Sequence, residues 1–218
     1  MCKTIAELKT IHWKIEDMVG HLIINRPPSN RMDKMFFGEL KDLVETVISV
    51  SKIEGLIVYG AGRHFSSGAD LDELTAGLEK DTSSLFENNL TFLSLFALPF
   101  PVVAAISGVC LGSGLELALF AHFRICTENS MLGLPESTFG LIPGIGGVSR
   151  LHSLAGHARA TELICSGMNI LPKEALEYGI IDKIVPKKHH IDFSVNFVKK
   201  INRKFHADRI HYLVAACL

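Results

Sequence analysis

The segment that decides the fold is Pro101–Phe123, PVVAAISGVCLGSGLELALFAHF. It opens on a short apolar run, Pro101–Ile106, of the kind that fills a strand buried on both faces. A loop follows, Ser107–Gly114, carrying Gly108, Gly112 and Gly114. Leu115–Phe123 is then apolar almost throughout and reads as a helix. The order strand, glycine-bearing loop, helix start also occurs upstream. There Leu56–Tyr59 leads through GAGRHFSSGAD (Gly60–Asp70) into a helix-like segment. Similar units recurring in one chain predict a stacked, right-handed α/β architecture.

The flanking sequence fits that frame. Ile11–Ile15 and His21–Asn25 read as two strands of a hairpin around Asp17–Gly20. Pro27 and Pro28 end the second strand. Asp33 can cap a helix through Ile48, with Phe36, Leu40, Leu43, Val44 and Val47 at helical spacing. Arg124–Thr127 reads as the next strand. Ser130–Gly147 is so rich in Gly and Pro that little regular structure is expected. Arg150–Cys165 and Pro172–Tyr178 read as helices, the second stopped by Gly179.

Composition excludes several classes of function. The chain has 218 residues, 22 Lys+Arg against 23 Asp+Glu, and a net charge of −1, which argues against a basic nucleic-acid binder or an acidic tail. The positive mean hydropathy of +0.28 asks for a membrane, a large apolar ligand or interfaces between copies. Phe92–Ile106 is the longest apolar stretch, and Ser94, Pro99 and Pro101 interrupt it; no membrane span is expected. Lys3, Glu7, Lys9 and Lys14 leave no apolar core for a secretory signal. The five cysteines, Cys2, Cys110, Cys126, Cys165 and Cys217, are scattered, as in a reducing cytoplasm. No HExxH string or Cys/His cluster marks a metal site, although His189 and His190 are adjacent. Lys183–Leu218 holds eight Lys/Arg against two Asp. That balance belongs either to a solvated helical face or to a phosphate-bearing ligand or acidic partner.

The candidate chemistry lies in the loops. Small residues before a helix let a ligand atom approach unpaired backbone N–H groups. One N–H from Ser66-Ser67-Gly68 and one from Gly112-Ser113-Gly114 could hold an oxygen that becomes negative. Neither loop is a nucleotide fingerprint: GxxxxGK[ST] and GxGxxG are both lacking. Glu116 stands in the apolar run Leu115–Phe120, and Glu136 follows the apolar Leu132–Pro135. Burial raises a carboxyl's pKa toward neutrality and suits it to proton transfer. Glu116 could equally face solvent at a helix N-terminus, where a carboxylate is favoured anyway. Asp70 and Asp72 fit helix caps better than catalysts. Cys110 is either a small buried residue or a nucleophile, and Ser113 lacks a GxSxG context.

Four stretches in order then resemble the crotonase superfamily, the enoyl-CoA hydratase/isomerase family. They are FSSGADLDEL (Phe65–Leu74), AAISGVCLGSGLELAL (Ala104–Leu119), LGLPESTFGLIPGIGGVSRL (Leu132–Leu151) and GMNILPKEALEYGIIDKIVP (Gly167–Pro186). The resemblance implies a spiral core of ββα repeats and the start of the helical region over residues 1–186, and a shortened, basic C-terminal helical segment over residues 187–218. It implies an acyl-CoA thioester as substrate, no cofactor beyond that coenzyme A, and assembly as a homotrimer or hexamer. The oxyanion donors fall on the backbone of Ser67 and Ser113. The two hydratase glutamates fall on Glu116 and Glu136. The thioester would run along Arg26, Ser29, Gly68, Ala69, Asp70, Leu71, Gly112, Pro135 and Gly140. The expected activity is hydration of a 2-enoyl-CoA. A Δ3,Δ2-enoyl-CoA isomerase, a non-catalytic thioester-binding subunit and an acyl-carrier-protein thioester as substrate stand as alternatives.

Overall fold

The computed structural model describes residues 3–70 and 83–203. Its backbone is one seven-stranded sheet in the order β1-β2-β3-β4-β5-β7-β10, with a small second sheet in the order β6-β8-β9. β1 (Lys3–Glu7), β2 (Ile11–Glu16) and β3 (Val19–Ile24) run antiparallel. The β2–β3 turn, Asp17–Met18, has positive φ at both residues, the primed geometry that matches strand twist. From β3 onward the large sheet is parallel through β4 (Gly55–Gly60), β5 (Val102–Ile106), β7 (Phe123–Thr127) and β10 (Lys183–Val185).

Each turn of the chain crosses from the large sheet to the small one and back. β5 is followed by β6 (Val109–Leu111), and β7 by β8 (Met131–Gly133); β6 and β8 pair in parallel, and β9 (Asn169–Ile170) closes the edge. The earlier turns contribute single bridges, Met32 to Ala69 and Ser66 to Cys110. This is the spiral of strand–strand–helix units that the resemblance implies, and the two glycine-bearing loops lie within its stacked turns.

Among the described residues six α-helices fill the spaces: α1 (Lys34–Leu43), α2 (Ser83–Phe96), α3 (Ser113–Leu119), α4 (Gly147–Ser166), α5 (Pro172–Glu177) and α6 (His190–Asn202). Asp33 caps α1 as expected, accepting the Phe36 N–H at 2.9 Å, and the chain continues to Ile48 as a π-helical turn rather than α-helix. Two other expectations need correcting. The helix after the second loop ends at Leu119, because Phe123 already pairs with Val103 in the sheet. Ser130–Gly147 is not devoid of regular structure: it holds β8 and a 3₁₀ turn, Pro135–Phe139. α4 is bent at Gly156, which has non-helical dihedrals.

Strand alternation splits the apolar residues between two cores. Leu56 and Val58 of β4 join the main core with Trp13, Phe36, Phe65 and Phe92. Ile57 of β4, Val103 of β5 and Ile125 of β7 point the other way, against Val198 of α6. Both faces of the sheet are therefore covered, which is why β4 and β5 read as unbroken apolar runs. No helix among the described residues is long and apolar enough to cross a membrane.

Candidate active site

The two loops meet because the small sheet stitches them together. The Ser66 N–H donates to the Val109 carbonyl at 3.1 Å, and the Leu111 N–H returns a bond to the Ser66 carbonyl at 3.0 Å. Ser66 Oγ donates to the Asn30 carbonyl and accepts the Gly68 N–H. Gly68 and Gly112 lie against each other at this crossing, both with positive φ. A Cβ on Gly68 would sit 2.9 Å from the Leu111 carbonyl oxygen, and one on Gly112 3.1 Å from Glu136 Oε1. Without side chains there, Glu136 reaches the turn that opens α3.

Glu136 stands in the 3₁₀ turn after β8, with Pro135 at its first position. Its Oε2 is buried and has no hydrogen-bond partner among the described residues. Burial pushes its pKa above the usual carboxylate range. Glu116, one turn into α3, is only 1% exposed, which removes the reading in which it faces solvent. Its Oε1 accepts the Ile145 N–H at 2.8 Å and the Gly147 N–H at 2.9 Å. Burial, and then the neighbouring charge of Glu136, push its pKa up to about 7 against those two bonds. Glu116 thus responds to the charge of Glu136 as well as to its own burial.

The backbone donors require one correction. The Ser67 N–H is already committed to the Ser29 carbonyl at 2.9 Å, so Ser67 cannot serve as an oxyanion donor without breaking that bond. Two residues on, no described group accepts the Ala69 N–H. Its bridge to Met32 uses the Gly68 carbonyl and the Asp70 N–H instead. The Ser113 N–H, in the first turn of α3, likewise has no acceptor among the described residues. Ala69 and Ser113 flank the Gly68–Gly112 contact and are the pair of donors the geometry offers.

The remaining predicted positions surround this centre unequally. Arg26 is ion-paired with Asp33, and Ser29 lies beside the first loop through its carbonyl. Asp70 faces Arg31 at 3.5 Å. Gly140 caps the 3₁₀ turn in the left-handed region and is exposed. Leu71, Asp72 and the helix expected there lie outside the described residues. Cys110 is fully buried, and burial holds its thiol far above the ordinary range, so the packing reading replaces the nucleophile. The reading from residue types overlooked Ala69 as a donor, and Ile145 and Gly147 as the groups that grip Glu116. The Gly144–Gly147 stretch, GIGG, was the available signal for the latter.

Glu116, poised near neutral pH, with the raised carboxyl of Glu136 and two unengaged N–H groups nearby, can move a proton while a nearby oxygen gains charge. The sequence and the fold are shared with known proteins. A family model described as enoyl-CoA hydratase/isomerase matches residues 14–213. A protein of Bacillus subtilis (strain 168), described as a probable enoyl-CoA hydratase, is 39% identical over 177 residues, covering 80% of this chain and 68% of that protein. A fatty acid oxidation complex subunit alpha of Shewanella frigidimarina (strain NCIMB 400) is 37% identical over 176 residues, 78% of this chain and only 25% of that one. The crystal structure of an enoyl-CoA hydratase from Bacillus anthracis superposes with a TM-score of 0.81 at 34% identity, covering 88% of this chain and 76% of that one. The chain belongs to the enoyl-CoA hydratase/isomerase family, within the crotonase superfamily.

Proposed function

We propose that the protein is an enoyl-CoA hydratase that adds water across the C2=C3 bond of a 2-enoyl-CoA thioester. The observation that carries this reading is the pairing of the buried Glu116 with the half-buried Glu136, close enough for the charge of Glu136 to raise the pKa of Glu116. In this reaction the thioester oxygen takes the N–H groups of Ala69 and Ser113. In the microstate of the pair whose proton sits on Glu136, the Glu116 carboxylate removes a proton from water as the water oxygen bonds to C3. The π electrons move onto the thioester oxygen, where the two donors stabilise the enolate. The Glu136 carboxyl then gives its proton to C2, and the thioester carbonyl re-forms. One proton has passed from Glu136 to Glu116 within the pair, and exchange with solvent restores the starting state.

A double-bond isomerase needs one proton carrier, and burying a second carboxyl is costly unless it has work to do. An inert binding subunit has still less use for the pair. Burial of the free thiols of Cys110 and Cys126 fits action in a reducing cytosol. The exposed Phe86, Phe139, Ile142 and Leu171 fit burial between copies of the chain. The test is Glu136→Gln assayed on crotonyl-CoA by loss of the conjugated thioester's ultraviolet absorbance. Turnover should fall by roughly two to four orders of magnitude. Near-parental hydration by the variant refutes the assignment. A parent protein that only conjugates 3-enoyl thioesters is an isomerase. Faster turnover of a carrier-protein thioester would replace coenzyme A as the carrier.

A further inference from the structure

The reaction above uses Ser113 only through its backbone, yet its side chain is placed to do more. Ser113 is 6% exposed, and its hydroxyl makes no hydrogen bond among the described residues. Its oxygen is not among the enclosed side-chain atoms that lack a partner, so it keeps access to solvent and can hold a water. Ser113 and Glu116 occupy positions i and i+3 of α3. That spacing puts them on one helix face with Cβ atoms about 5–6 Å apart. Side chains on a helix lean toward its N-terminus, so the Glu116 side chain tilts back over the first turn, toward Ser113. Both hydrogen bonds to Glu116 from the described residues land on Oε1, so Oε2 is not engaged by them. The same turn lies against Glu136, whose Oε1 would be 3.1 Å from a Cβ on Gly112.

Resting on the hydratase reading, we propose that Ser113 Oγ and Glu116 Oε2 together hold the water that is added. The carboxylate takes the proton that leaves, and the serine oxygen accepts a hydrogen bond from the water's remaining O–H. This leaves a lone pair of the water oxygen facing C3. Ser113 then has two separate tasks: its N–H on the thioester oxygen and its hydroxyl on the nucleophile. No bond to the serine forms or breaks.

The test compares Ser113→Ala with Ser113→Thr in the full chain, with two readouts. On crotonyl-CoA, the alanine variant should lose about tenfold in kcat, the worth of one hydrogen bond, with KM little changed. Threonine, which retains a hydroxyl, should restore most of the loss. Independently of turnover, the pH at which the folded protein releases the Glu116 proton, read from stability against pH, should rise in the alanine variant. The charged carboxylate would lose a polar neighbour while still facing Glu136. Threonine should reverse that rise. If alanine at this position prevents folding, glycine deletes the same hydroxyl and takes its place. Parental kcat in the alanine variant, or an unmoved titration, overturns the proposal while leaving the hydratase reading standing. A parent protein that hydrates no 2-enoyl-CoA overturns both.

Discussion

Glu116→Gln should make the protein more stable above neutral pH while removing its proposed base. The folded-state pKa of Glu116 is raised to about 7 from an ordinary 4.5, chiefly by burial. The folded protein therefore holds a proton that the unfolded chain releases between those two values. Stability linked to this group is full below pH 4.5 and declines as pH rises toward 7. At about 1.4 kcal/mol for each pH unit between the two values, the parent forfeits about 3 kcal/mol over that window. Glutamine cannot ionise, and its amide oxygen can accept the Ile145 and Gly147 N–H groups that Oε1 accepts now. The stability difference between variant and parent should therefore be small near pH 4.5 and grow by about 3 kcal/mol by pH 8. Other titrating groups are common to both proteins and largely cancel in the difference. Urea unfolding followed through Trp13, the single tryptophan and fully buried, measures this across the range. A difference that stays within about 0.5 kcal/mol from pH 4.5 to 8, the usual span of an inconsequential substitution, would refute a strained, buried Glu116.

Proline substitutions separate the two candidate donors of the first loop. Ala69→Pro deletes the proposed donor but leaves the bridge to Met32 intact, and should lower kcat for crotonyl-CoA by about two to three orders of magnitude. Ser67→Pro instead removes the bond to Ser29; it should cost about 1 kcal/mol in urea unfolding and spare kcat. The opposite ranking would return the donor to Ser67. Gly147→Ala would place a methyl 2.8 Å from Glu116 Oε1, forcing the carboxylate off its donors at about 1–3 kcal/mol. In a Glu116→Ala background the same change should cost far less, and equal costs in the two backgrounds would exclude the clash.

The repeated strand–loop–helix units were legible because each depends on local chemistry. Apolar runs make strands, small residues make tight loops, and Asp33 caps α1 within its own turn. Glu116 and Glu136 were legible as carboxyls in apolar surroundings. Which way Glu116 faces was not, since a helix N-terminus accommodates a solvent-exposed carboxylate equally well. Ile145 and Gly147 settle it from another part of the chain.

The sequence by itself determined the kinds of element, the candidate acids and the resemblance to a family, all carried by residues adjacent in the chain. Only the tertiary structure decided which backbone N–H groups are unengaged. Every non-proline residue carries one, and whether it is available depends on the partner that folding brings to it. Ser29, distant in sequence, occupies the Ser67 N–H, while the Ala69 N–H has no acceptor among the described residues. The raised pKa of Glu116 has the same origin, because burial and a neighbouring charge are properties of packing and not of sequence order.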